Sequence, residues 1–232
     1  MTVEAINQKQ HGNLKIKANP TFIQTENQHF APLVVQEFVA ASQDYPIVFV
    51  KDSETGQFKS IALLGLKPGE NEFYSDNGWK GNYRPEAFSL YPFLVSQPEG
   101  QDNAILCFDS AASLVNDSEG QALFDENGVQ TKWLSETGER VVQYVEKTQV
   151  TQNFIQLLLE ADILAPQTLT LKLADDKEYT LNGLYTVDEK KLTALDDDKF
   201  NALRKTGALA PIYASLISMQ RVNNIASLKL KD

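Results

Sequence analysis

The chain of 232 residues has few of the side chains that most often carry covalent or metal chemistry, with one cysteine and two histidines. A single thiol, Cys107, cannot form an internal disulfide bond. Together with His11 and His29 it cannot complete a tetrahedral zinc site unless carboxylates supply the remaining ligands. We therefore expect no metal site and no cofactor.

The sequence also lacks the short motifs that identify common classes of enzyme. None of G-x-S-x-G, G-x-x-x-x-G-K-[ST], G-x-G-x-x-G and H-E-x-x-H occurs. These patterns mark hydrolases, P-loop proteins, dinucleotide-binding folds and zinc proteases. Cys107 lies between Leu106 and Phe108 in an apolar run, which indicates a buried, inert thiol instead of a nucleophile. We assign no catalytic residue and expect a non-catalytic protein.

Basic residues are outnumbered, with 21 Lys and Arg against 31 Asp and Glu and a formal net charge of −10. Nucleic-acid binding draws its affinity from Lys and Arg that neutralise phosphates, so we expect no nucleic-acid partner. The longest uncharged apolar tract, residues 206–220, contains Pro211. It is shorter than the roughly 20 apolar residues that cross a bilayer, so no transmembrane segment is expected.

The first ten residues contain no basic stretch followed by an apolar stretch, as a secretory signal would. This pattern predicts a cytoplasmic protein. Association with the cell surface would then need a non-standard route.

Hydrophobic residues make up 42% of the chain, enough for a core without disulfides or metals. In the first half, Ile47–Val50 and Phe58–Leu66 flank the turn residues Ser53–Gly56 and predict a β-hairpin. Phe93–Val95 and Ala104–Phe108 predict further strands. The first half is therefore expected to form a mainly antiparallel sheet.

From Gln130 onwards, apolar residues recur every three or four positions, which predicts helices. Gly138 could break the first of them. Two alternating runs between residues 169 and 187 predict a second hairpin, and helices are expected over 198–205 and 211–228. We predict an α+β fold in which the sheet packs against a helix-rich second half that carries this further β-hairpin.

The expected domain organisation is a polar N-terminal lead-in over residues 1–30 and a single domain over 31–232. That domain could consist of two lobes, a sheet-rich one over 31–115 and a helix-rich one over 129–232. Leu123 and Phe124 lie between these lobes. Since a free linker would not carry such apolar residues, the two lobes are expected to share a core.

The loop over residues 70–91 combines aromatic rings with carboxylates and is the candidate binding site. Its candidate residues are Glu70, Asn71, Trp79, Tyr83, Arg84 and Tyr91. Rings stack on sugars and carboxylates orient hydroxyl or amine groups, so the loop could serve an enzyme or a carbohydrate-binding module. In the alternative interpretation, Trp79, Tyr83 and Phe88 cover the sheet and the acids face water.

The last helix also has two interpretations. If one stripe is formed by Ile212, Leu216, Met219 and Val222, these residues face a core. The basic residues then stay solvated, namely Arg221, Lys229 and Lys231, the last of which lies outside the residues that the structure describes. The acidic first half of the chain offers an intramolecular counterpart for this basic end. The stripe could instead dock a partner or an anionic surface. We favour the core.

Several sequence motifs, taken in chain order, resemble those of the bacterial SapC family. They are Tyr45-Pro46-Ile47-Val48-Phe49-Val50, Ala62-Leu63-Leu64-Gly65-Leu66 with Pro68-Gly69-Glu70-Asn71, Trp79 with Tyr83, Tyr91-Pro92-Phe93, Leu123-Phe124-Asp125 with Asn127-Gly128, and Asn182-Gly183-Leu184-Tyr185-Thr186-Val187-Asp188-Glu189 with Leu192, Leu195 and Gly207-Ala208-Leu209. The family pattern has an arginine pair where this chain has Ser89-Leu90, so an anion-binding role for that pair is not expected here.

The resemblance implies a non-catalytic binding or accessory protein that acts through a protein or peptide partner. It links the chain to the bacterial envelope, the surface layer (S-layer) or nutrient uptake. An envelope system or a tryptophan-halogenase-like protein is the partner it implies. It brings no established catalytic residue.

Overall fold

A computed structural model of the chain describes residues 2–96, 104–172 and 177–229, and these residues form an α+β fold with antiparallel sheets, as predicted. The strands, in chain order, are β1 (Val3–Ala5), β2 (Lys15–Ile16), β3 (Phe30–Pro32), β4 (Ile47–Lys51), β5 (Phe58–Leu63), β6 (Phe93–Ser96), β7 (Ile105–Asp109), β8 (Val115–Asn116), β9 (Gln121–Ala122), β10 (Leu164–Lys172) and β11 (Glu178–Val187). The α-helices are α1 (Gln8–His11), α2 (Phe38–Ala41), α3 (Glu86–Leu90), α4 (Lys132–Glu160), α5 (Glu189–Thr193), α6 (Asp197–Lys205), α7 (Leu209–Ser218) and α8 (Val222–Lys229).

The chain divides into two compact units, and each is built from two separate segments. Unit 1 comprises Met1–Pro20 and Ala87–Glu146, and unit 2 comprises Thr21–Glu86 and Lys147–Asp232. Helix α4 therefore contributes residues to both units.

Unit 1 contains two small sheets of three strands, with the orders β1-β7-β6 and β8-β2-β9. Every pair is antiparallel. Strand β7 is central to its sheet, and its Phe108 is fully buried. The core around Phe108 consists of buried residues from strands, loops, helix α3 and the first half of α4, namely Ile16, Leu90, Phe93, Leu114, Leu123, Phe124, Leu134 and Val141.

Unit 2 contains a sheet of five strands in the order β10-β11-β4-β5-β3. The two predicted hairpins join in this sheet, because β11 pairs with β4 through Leu184 opposite Val50 and Tyr185 opposite Phe49. The β4–β5 turn forms because the Asp52 side chain accepts hydrogen bonds from the backbone N–H groups of Glu54 and Thr55, at 3.1 and 2.9 Å.

Helix α4 runs without a break through Gly138, where the sequence suggested an interruption. The glycine has a packing role: a Cβ at this position would lie 3.2 Å from Leu106 Cδ2. A close approach between helix and strand therefore explains why a residue of low helix propensity occurs here.

The C-terminal region forms two helices, α7 and α8, where the sequence predicted one, because residues 219–221 adopt a 3-10 turn. Ile212 and Val222 are buried as expected, whereas Leu216 and Met219 are only half-buried. Ser218 is fully buried in their place, since its hydroxyl accepts a hydrogen bond of 2.8 Å from the Ile47 N–H at the start of β4. The core interpretation of this segment therefore holds with a different set of residues.

No helix among the described residues has the length and apolarity that crossing a membrane requires.

Candidate functional site

Trp79, a candidate residue of the 70–91 loop, is only 8% exposed. Its ring stacks on Phe73, with centroids 6.0 Å apart, and meets Phe22 edge-on. Its indole N–H donates to the Tyr45 hydroxyl at 2.8 Å. In this position the ring covers the core of unit 2 and presents little surface to a ligand.

Tyr83 is tied to two acidic residues of the segment that precedes β4. Its hydroxyl donates to Glu37 Oε1 at 2.8 Å, and its backbone N–H donates to Asp44 at 2.6 Å. The Tyr83 carbonyl accepts hydrogen bonds from Tyr45 and Trp79. Burial, followed by the nearby charge of Glu37, raises the pKa of Tyr83 well above its ordinary value. Tyr83 therefore fixes the loop instead of offering a free hydroxyl.

Glu37, which the sequence did not single out, is the centre of this network and is 3% exposed. Besides Tyr83, it accepts hydrogen bonds from the N–H groups of Val34, at 2.9 Å, and Glu86, at 2.8 Å. Burial raises its pKa, although these hydrogen bonds act in the opposite direction. The carboxylate holds together segments about 50 residues apart.

Glu70 and Asn71 make different contacts. Glu70 is hydrogen-bonded to Lys229, and Lys67 lies 2.7 Å from it. Burial would raise the pKa of Glu70, but the two ammonium groups outweigh that effect and lower it. Asn71 donates from Nδ2 to the Thr25 carbonyl at 2.8 Å and accepts from the Phe73 N–H at 3.0 Å.

The sequence suggested that Lys229 stays solvated, but in the structure it is largely removed from water. Its side chain is 17% exposed, and it also lies 3.2 Å from Glu72. The acidic first half of the chain thus supplies carboxylate partners that remove Lys229 from water.

The last two candidates are Arg84 and Tyr91. Arg84 is exposed, with its guanidinium 5.6 Å from the Phe22 ring centroid. Tyr91 belongs to unit 1, where burial, and then the charge and hydrogen bond of Asp109, raise its pKa. The structure thus brings Trp79 and Tyr83 together in one buried network, with Arg84 beside it at the Phe22 ring. It gives Glu70, Asn71 and Tyr91 separate partners.

Two side chains of unit 1, His11 and Cys107, are the groups that most often carry acid–base or thiol chemistry. His11 Nδ1 accepts from the Asn7 N–H at 3.0 Å, which leaves the proton on Nε2, 3.3 Å from a Glu4 oxygen. The ring packs edge-on against Phe108. Because successive strand residues point to opposite faces, Cys107 points away from the face that carries His11. The histidine therefore does not activate the thiol in this arrangement.

A groove in unit 2, with a volume of about 460 Å³, is lined by one face of helix α4. This face consists of Val150, Phe154 and Leu157, at spacings of four and three residues, with Asn153 beside them. The other walls are formed by Val35, Gln36, Thr206, Gly207, Ala208 and Pro211. We call this surface the apolar groove.

Large apolar side chains remain open to solvent at the apolar groove. Val150 is 48% exposed, and Leu157 and Pro211 are half-buried. None of the described lining residues carries a charge, although 22% of the chain is charged. The centres of protein interfaces show this same depletion of charged residues.

Sequence reasoning missed the apolar groove, although a signal was present. Residues 148–159 contain no charged residue, and 206–220 are also uncharged. The first tract looks like an ordinary buried helix, and only the fold shows that part of its surface is open beside the start of the second tract.

A model of the SapC family matches residues 6–225 of the chain. No curated protein and no solved structure matches the chain.

Proposed function

The chain belongs to the SapC family, as its ordered sequence motifs predicted. From this premise we propose that it is a non-catalytic binding or accessory protein that acts through a protein or peptide partner. The observation that supports this function is the apolar groove, because it combines open apolar side chains with an absence of charge among its described lining residues. A groove of this kind receives the apolar face of a partner segment. The proposed link to the bacterial envelope, the surface layer or nutrient uptake rests on the association that the family resemblance implies.

The alternative, an enzyme or a carbohydrate-binding module that uses residues 70–91, stays a prediction with less support. Trp79 is 8% exposed and the Tyr83 hydroxyl is bound to Glu37. A ligand at this loop would have to displace these contacts. A small ligand whose binding is lost in a folded Trp79→Ala variant would favour the alternative.

Co-purification from the native host tests the groove with two matched variants. Val150 and Val145 lie on the same helix and are both 48% exposed, but only Val150 lines the apolar groove. We expect Val150→Glu to reduce recovery of the partner at least about tenfold, because a charge in an apolar contact must be desolvated. Val145→Glu should recover the partner as the unaltered chain does.

Two results would count against the proposal. Either Val150→Glu retains every partner of the unaltered chain, or both variants lose them equally. Circular dichroism melts of both variants establish that any loss of partner is not a loss of fold.

A further inference from the structure

A second opening in unit 2 lies between helix α4 and the turn that joins β4 to β5, and it has a volume of about 560 Å³. This is within the range of about 300–1,000 Å³ that is typical of small-ligand sites. It shares Asn153 with the apolar groove, but its other α4 residues lie on the neighbouring face of the helix. We call it the amide cleft.

Side-chain amides dominate the polar lining of the amide cleft. They belong to Gln57 on the hairpin and to Gln149, Gln152, Asn153 and Gln156 on α4. Each amide carries two N–H donors and a carbonyl acceptor without a net charge. Gln149 donates one N–H to Asn153 Oδ1 at 3.3 Å, and Gln156 donates one to Glu160 Oε1 at 3.0 Å. A ligand that matches this surface is neutral and has groups that both donate and accept hydrogen bonds.

Part of the amide cleft is apolar. Ile155 is 2% exposed and therefore lies at its base, and Phe58 and Leu159 add further apolar surface. The Phe58 ring is held in place edge-on to Tyr185, with centroids 4.8 Å apart. Small-ligand sites commonly combine such surfaces with a few convergent polar groups.

From this combination we infer that the amide cleft binds a neutral carbohydrate. The hydroxyls of a sugar donate and accept hydrogen bonds as the amides do, and its C–H faces pack on apolar or aromatic side chains. The described lining includes no carboxylate and one cation, Lys51, whose Nζ lies 5.7 Å from the Phe58 ring centroid. A nucleotide or a multivalent anion would find too few charged partners here.

The amide cleft and the apolar groove share the lining residue Asn153, but neither proposal depends on the other. The Val150→Glu variant tests the groove alone, whereas the variants below leave Val150 in place. The two proposals can therefore fail separately.

The test is saturation-transfer NMR followed by calorimetric titration with maltotriose, cellotriose, mannotriose and chitotriose. Sialyllactose is the anionic comparison, and the peptide Gly-Ser-Asn-Ser-Gly is the neutral peptide comparison. Gln149→Ala and Gln156→Ala remove amides from the cleft. Gln143→Ala removes an exposed glutamine of the same helix that does not line the cleft.

We expect at least one neutral trisaccharide to bind, and each cleft variant to weaken that binding about fivefold, as the loss of a hydrogen bond does. Gln143→Ala should change the affinity less than twofold. The inference is overturned if no neutral saccharide binds, if both cleft variants bind as the unaltered chain does, or if the peptide or sialyllactose binds more tightly.

Discussion

At the scale of single residues, the buried carboxylate of Glu37 makes the clearest prediction. Burial raises its pKa above the ordinary value of 4.5, so the folded state binds the proton more tightly than the unfolded state does. The contribution of this group to stability is then fully present below pH 4.5 and is lost as the pH rises through the folded pKa. The free energy of unfolding of the unaltered chain, relative to Glu37→Gln, should therefore decrease from pH 4.5 to pH 7.5.

Urea unfolding at several pH values measures this difference, and the variant serves as its own control because its side chain cannot titrate. A difference that stays constant or increases with pH would show that the pKa of Glu37 is not raised.

The same residue shows what sequence reasoning can and cannot find at this scale. Trp79 and Tyr83 stood out because aromatic residues in an acidic loop are unusual, but whether they bind ligand or cover the core depends on which partners reach them. Glu37 gives no comparable signal in the sequence, because a lone glutamate among apolar residues usually reaches solvent. Its partners, Tyr83 and Glu86, lie more than 45 residues away.

At the scale of elements, helix α7 offers a matched pair of isoleucines. Ile212 is fully buried and Ile217 is 57% exposed. Ile212→Ala should reduce the free energy of unfolding by about 2–5 kcal/mol, as other large-to-small changes in a core do. Ile217→Ala should change it by less than about 0.5 kcal/mol. Thermal and urea unfolding of both variants decide the point, and equal effects would mean that α7 does not pack as described.

The elements themselves were largely predictable. Local sequence patterns predict hairpins, turns and helices. Both hairpins and the helix that ends before Gly207 were therefore predicted. The phase of a helical face is harder to predict. Ser215 and Ser218 are buried because their hydroxyls find local carbonyl partners, and a hydropathy pattern assigns such serines to the surface.

At the scale of the whole molecule, Lys229 joins helix α8 to Glu70 and Glu72, more than 150 residues earlier in the chain. Lys229→Met should reduce the free energy of unfolding by about 2 kcal/mol, because Glu72 is 6% exposed and would lose its partner. Lys191→Met breaks an exposed pair with Asp162 and should cost less than about 1 kcal/mol. If urea unfolding gives equal losses, the Lys229 contacts contribute no more than a surface pair.

The sheet of unit 2 makes a second prediction at this scale. Its β10–β11 hairpin pairs with β4. Strand β4 precedes residue 128 in the chain, and the hairpin follows it. A fragment of residues 129–232 should therefore lack cooperative unfolding on its own. Mixing it with a fragment of residues 1–128 should restore dispersed amide signals in NMR spectra. Cooperative urea unfolding of the isolated fragment would contradict this expectation.

The burial of Cys107 also has a practical consequence for kinetics. It is the one thiol of the chain, it is 5% exposed, and it belongs to the central strand of the β1-β7-β6 sheet. An alkylating reagent can therefore reach it only in molecules in which this sheet has opened. The alkylation rate of Cys107, compared with that of a free thiol, therefore measures how often this part of unit 1 opens. Mass spectrometry can follow the alkylation without any introduced label.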